Sequence, residues 1–152
     1  RAESAKVLAA EMADVEGIVP IAGAIGFLQS LPPDRWAVVT SAPRDLAYMR
    51  LEAAGIRAPK TMVIAEDVAV GKPDPACFRL GAERLGIKPQ ECLVFEDAHA
   101  GVTAAELAGA SVLVVTATHD LLKGTAHPTM TSYTDLHLDV DSAERLTLHR
   151  RG

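Results

Sequence analysis

Aromatic side chains are scarce in these 152 residues: one tryptophan, two tyrosines and three phenylalanines make up 4%. Aliphatic side chains must therefore fill most of the core of what is, by length, one ordinary domain. Cysteine is rarer still. Cys77 and Cys92 lie in apolar settings without metal-type spacing, which fits a reducing cytosol better than a disulfide framework. There is no excess of positive charge either, because 15 Lys and Arg face 20 Asp and Glu for a net charge of −5. Nucleic-acid affinity comes largely from basic side chains neutralising phosphates, so a general polyanion binder is excluded. A local pocket for one small phosphate is not. No apolar run approaches the ~20 residues of a membrane span, and no signal-peptide pattern opens the chain. The expectation is a cytoplasmic protein that binds neither membrane nor nucleic acid. Residue 1 is Arg1 rather than Met, so the numbering is expected to begin inside a longer chain.

What the sequence does have is alternation. Residues 1–16 are Ala-rich and helix-favouring, with Val7, Leu8 and Met12 as candidates for one face. Pro20 suits the start of a second helix through Ile21, Ile25, Phe27 and Leu28, ended by Pro32 and Pro33. Short apolar runs at 36–40 (WAVVT), 61–64 (TMVI), 92–95 (CLVF) and 112–115 (VLVV) read as buried strands. Helical patterns at 45–54, 75–85 and 99–108 separate them, the first two stopped by Gly55 and Gly86. Such βα units predict an α/β fold with a parallel sheet flanked by helices on both faces, the strand C-termini sharing one edge. Alternating Leu136, Leu138 and Val140, then Leu146 and Leu148, predict a terminal hairpin over 133–150.

Polar groups gather where the apolar runs end. Thr40, Ser41 and Ala42, followed by Pro43 and Arg44, offer a hydroxyl and successive amides that can hold a phosphate oxygen or cap a helix. Lys72 stands in Gly71-Lys72-Pro73-Asp74-Pro75, where prolines fix the loop and aim the ammonium. Glu96 and Asp97 end the third run as adjacent carboxylates, costly to bury without a cation and suited to Mg2+.

Together, Val38-Val39-Thr40-Ser41, Gly71-Lys72-Pro73-Asp74-Pro75 and Val94-Phe95-Glu96-Asp97-Ala98-His99-Ala100-Gly101-Val102 resemble the haloacid dehalogenase-like hydrolases. The likeness is to their small sugar-phosphate and polyol-phosphate phosphatases, relatives of beta-phosphoglucomutase, and covers roughly residues 17–140. It implies a three-layer Rossmann-like core over 17–152, with 1–16 the remnant of a helical cap. It implies that Thr40 and the amides of Ser41 and Ala42 bind the transferring phosphoryl group. Lys72 would bridge that group and a nucleophilic aspartate, Arg44 would contact substrate phosphate, and Asp97 would ligate Mg2+ with Glu96 close by. His99 fits a substrate contact or a plain helix start. The implied partner is a small phosphorylated metabolite, and the implied reaction passes through an aspartyl-phosphate. A phosphomutase and a non-catalytic phosphate- or partner-binding module are the alternatives.

The family's first motif, Asp-x-Asp-Gly-Thr, is missing from the sequence. Its aspartates would attack phosphorus and act as general acid/base. Asp139-Val140-Asp141 has the spacing but lacks the glycine and threonine, and the alternation turns Asp139 outward. The resemblance therefore implies an N-terminally truncated core, short by about 70 residues against ordinary domain sizes. Its central strand, between those ending at Thr40 and Phe95, would come from a missing N-terminal segment or a second chain. The 152 residues alone are expected to be inactive.

Overall fold

A computed structural model describes residues 2–118 and 124–151; Arg1, expected to begin the first helix, lies outside them. Helices α1 (Ala2–Ala13) and α2 (Ala24–Ser30) precede β1 (Ala37–Val39), α3 (Arg44–Ala53), β2 (Thr61–Val63) and α4 (Ala76–Leu85). Then come β3 (Leu93–Glu96), α5 (His99–Ala108), β4 (Ser111–Val115) and β5 (Thr129–Met130), and a hairpin of β6 (Leu136–Val140) and β7 (Leu146–Arg150). β1 pairs in parallel with β2; β3, β4 and β5 form a second parallel sheet; β6 and β7 run antiparallel. The expected α/β architecture and terminal hairpin are both present. No helix among the described residues is long and apolar enough to cross a membrane.

Alternation along the strands builds three layers. Val63, Val94, Val112 and Val114 turn to one face and pack with Cys77 and Phe78 of α4 and Val102 and Ala105 of α5. Leu113 and Val115 turn the other way, onto Met130, Ile21, Tyr133 and the hairpin's Leu136 and Leu148. Ile64 packs with Leu46 and Ala47 of α3, and Leu8 and Met12 bring α1 onto that cluster. Leu46 is 1% exposed and Val114 0%. Each such side chain contributes about 1.5–3 kcal/mol by burial.

α4 stops at Gly86 as the sequence predicts, its positive φ of 72° closing the last turn. The second helix differs. It begins at Ala24 rather than Pro20, because Ala22 and Gly23 serve a tertiary contact. The Tyr133 amide and the Ser132 hydroxyl donate to the Ala22 carbonyl at 2.9 and 3.2 Å. Gly23 has φ 79°, and a Cβ there would run into the backbone of Tyr133 and Thr134.

Candidate active site

β1 pairs only with β2, and β3 only with β4 within their sheets, so each keeps an unpaired edge among the described residues. A cleft of about 490 Å³ opens where their C-terminal ends meet. Its lining includes Thr40, Ser41, Lys72, Glu96 and Asp97, five residues that the strand ends singled out.

β1 delivers Thr40. Its amide donates to the Val63 carbonyl at 2.9 Å, which continues the ladder with β2. Its hydroxyl oxygen accepts the Ala42 amide at 3.1 Å, leaving the hydroxyl hydrogen to donate into the cleft. Ser41 faces the cleft and is exposed. Ala42 is buried behind it with its amide held by Thr40. Arg44 opens α3 outside the cleft lining, and its amide donates to both carboxylate oxygens of Glu66 at 3.2 Å. The structure thus brings Thr40 and Ser41 to the cleft and leaves Ala42 and Arg44 beside it.

The Gly71-to-Pro75 segment is built as a support. The Asp74 amide donates to the Gly71 carbonyl at 3.0 Å, and the Asp74 carboxylate accepts the Ala76 amide at 2.9 Å as α4 begins. Lys72 Nζ reaches from this turn into the cleft. It forms an ion pair with Glu96 Oε1, donates to the Val39 carbonyl at 3.4 Å, and lies 4.8 Å from the centre of the Phe78 ring. One ammonium therefore ties β1 to β3. Burial pushes the nearby Cys77 thiol up, with the positive charge of Lys72 partly opposing.

The two adjacent carboxylates have different surroundings. Glu96 is 8% exposed, and its second oxygen accepts the Asp97 amide at 3.2 Å. Both Glu96 oxygens are thus held by protein. Asp97 faces the cleft, where the Thr118 hydroxyl donates to its Oδ2 at 3.4 Å. His99 begins α5 and is not part of the lining. Among the described residues, no group of three or more His, Cys, Asp or Glu is placed to hold a metal by itself. Asp97 is the carboxylate open to one.

Val39, Phe95, Ala98, Ala100 and Gly101 of the motifs also line the cleft, and an apolar side that no motif singled out is completed by Ile21, Val115 and Tyr133. Phe27, Phe95 and Tyr133, three of the six aromatics, stack with centroids 5.3–5.8 Å apart. Burial pushes the Tyr133 phenol up, and the charge of Asp97 adds to it.

The sequence profile of the haloacid dehalogenase-like hydrolases matches residues 2–109 of this chain. The chain belongs to this family. It is 45% identical over 112 residues to hexitol phosphatase A of Escherichia coli, covering 72% of this chain and 52% of that protein. It is 39% identical over 115 residues to glycerol-1-phosphate phosphohydrolase 2 of Saccharomyces cerevisiae, covering 71% and 45%. The chain thus spans about half the length of the curated relatives it matches. A putative beta-phosphoglucomutase from Thermotoga maritima superposes with a TM-score of 0.52 at 38% identity, over 59% of this chain and 42% of that one. A hydrolase of the same family from Entamoeba histolytica superposes over 90% of this chain and 65% of its own, with a TM-score of 0.73 at 20% identity. That second likeness shows the fold.

Proposed function

We propose that this haloacid dehalogenase-like hydrolase is the electrophilic half of a Mg2+-dependent phosphatase for a small sugar or polyol phosphate. The observation that carries this reading is the meeting of Thr40, Lys72 and Asp97 on one cleft. Transferring a phosphoryl group requires in-line geometry and neutralisation of its charge. The Thr40 hydroxyl and the Ser41 amide hold phosphoryl oxygens, and Lys72 has one N–H left for the anion after Glu96 and Val39 take two. Asp97 fits a Mg2+ ion, which takes one or two carboxylates and completes its shell with water and phosphate oxygens. When bound, the ion neutralises charge developing on the phosphoryl group. Glu96 supports Lys72 and Asp97 from behind.

The attacking carboxylate, which forms the aspartyl-phosphate, lies on a strand that the described residues do not supply. The cleft between the unpaired edges of β1 and β3 suits such a strand, since both edges would gain hydrogen bonds. Sugar- and polyol-phosphate phosphatases among the relatives support the substrate class. The test is phosphate release from a panel of sugar and polyol phosphates by the full protein carrying an Asp-x-Asp-Gly-Thr strand, and by the 152 residues alone. Release by the first and none by the second is expected. No release from any substrate by the first overturns the phosphatase. The likeness to the Thermotoga maritima protein keeps a mutase as the second reading, recognised by sugar-phosphate isomerisation in place of release.

A further inference from the structure

Gly101 sits in the first turn of α5, within a run where alanine or a larger side chain occupies every neighbouring position. Its own backbone is helical, so conformational freedom does not explain it, and glycine inside a helix is unfavourable relative to alanine. Space does explain it. A Cβ at position 101 would stand only 2.0–2.3 Å from the carboxylate carbon and both oxygens of Glu96. The Glu96 carboxylate therefore lies against the helix in the place where the next side chain would be. There it is 8% exposed, paired with Lys72 through Oε1 and with the Asp97 amide through Oε2.

We propose that Gly101 is a positioning residue: its missing side chain is the seat of the Glu96 carboxylate, and Glu96 in turn holds Lys72 across the cleft. Lys72 has a long flexible stem and lies on a loop of the other side. Without an anchor at Glu96, nothing on β3 fixes where its remaining N–H points. The seat thus makes a glycine in the wall of the cleft a determinant of where the ammonium stands. The seating rests on geometry alone; its consequence for anion binding rests on the phosphatase reading.

The test is a change of sign. Gly101→Ala in the full protein is expected to lower the urea midpoint, because the added methyl evicts a buried carboxylate. In a Glu96→Ala/Lys72→Met background the seat is empty and no buried charge is stranded. There Gly101→Ala is expected to leave the midpoint unchanged or raise it, since alanine favours the helix. A loss of equal size in both backgrounds would mean that Gly101 serves backbone packing, and would overturn the proposal. If Gly101→Ala alone does not fold, the triple variant still decides, because it must fold at least as well as its parent. Inorganic phosphate titrated with Mg2+ present and followed by 31P NMR supplies the second readout. Gly101→Ala is expected to weaken binding about tenfold, the scale of one charge-assisted hydrogen bond. Phosphate binding unchanged in Gly101→Ala overturns the positioning of Lys72. A sign change with no phosphate binding even by the wild type keeps the seat and removes the phosphatase reading.

Discussion

Lys72 and Glu96 stand 24 residues apart in sequence, and their paired side chains are 13% and 8% exposed. On the hairpin, His137 Nε2 lies 3.1 Å and His149 Nε2 3.2 Å from the two oxygens of Asp139, and all three side chains are more than half exposed. Both regions bring opposite or ionisable groups together. Only the first lies on the cleft. The cleft pair joins β3 to the loop before α4 and reaches β1, so three elements converge where water is largely excluded. The hairpin cluster lies within one two-stranded ribbon and is screened by solvent. Spacing in sequence does not separate the two, since Asp139-Val140-Asp141 has the Asp-x-Asp form yet is not among the residues lining the cleft. Asp141 instead accepts the amides of Ala143 and Arg145 at 2.8 and 2.9 Å to close a turn.

The largest test of this contrast removes one partner of the buried pair. Glu96→Ala leaves Lys72 beside the Phe78 ring without its counter-charge, a loss of about 3–5 kcal/mol for a buried pair broken on one side. Urea unfolding of the full protein measures it. A loss no greater than that of an exposed pair would erase the distinction between the regions.

Metal removal comes next. If Asp97 ligates Mg2+, the ion stabilises the folded protein by mass action, about 2.7 kcal/mol at a hundredfold excess over its dissociation constant. Chelation should abolish that gain in the wild type and change nothing in Asp97→Asn. Stabilisation by Mg2+ that survives in Asp97→Asn assigns the ion elsewhere.

A third test concerns a pair intermediate between the two regions. Arg84 of α4 donates to both oxygens of Asp67 at 3.0 and 2.9 Å, and the Ile64 amide adds a third bond. The guanidinium above all, and then that amide, hold the Asp67 carboxyl down at about 2, against an ordinary 3.8. A lowered folded value favours the carboxylate in the native state. Its contribution is therefore complete above the ordinary value and is lost as pH falls through about 2. Asp67→Asn should flatten the acid side of a stability profile between those limits, and an unchanged slope would show that the pair adds nothing. Asp141 is also lowered, first by the Arg145 amide. Its bonds are local to a turn, so turn structure surviving in the unfolded chain reduces its effect on that slope.

Much of the framework was legible because it rests on local rules. Each buried strand was an apolar run, and Gly55, Gly86 and Gly109 all follow helices with positive φ. Thr40, Glu96 and Asp97 stood out because each is polar and ends or directly follows such a run, and Lys72 because Gly71, Pro73 and Pro75 frame it. What escaped depends on partners distant in sequence. The Arg44 amide is taken by Glu66, 22 residues on, and Ala22 by Ser132, 110 residues on. β5 is two residues long, too short for any periodicity. Phe27, Phe95 and Tyr133 gave no sign that they would meet, and the pairing of Glu96 with Lys72, 24 residues apart, has no local signal.

The smallest expected effect is the most direct test of the opening contrast. Asp139→Asn removes the carboxylate that both hairpin histidines face, from a residue whose side chain is 59% exposed. Exposed pairs of this kind contribute about 0.2–1 kcal/mol, so the urea midpoint should barely move. Phosphate release by the full protein should stay within about twofold, a change of under 0.5 kcal/mol in barrier. Asp139 lies on the outer face of an antiparallel ribbon, while the inner face, with Leu136 and Leu148, packs against the Tyr133 wall. A carboxylate pointing away from that wall cannot reach a phosphoryl group held by Thr40 and Lys72 without turning the ribbon over. Complete loss of release in Asp139→Asn would therefore mean that the ribbon moves, and that the Asp-x-Asp of the hairpin belongs to the site after all.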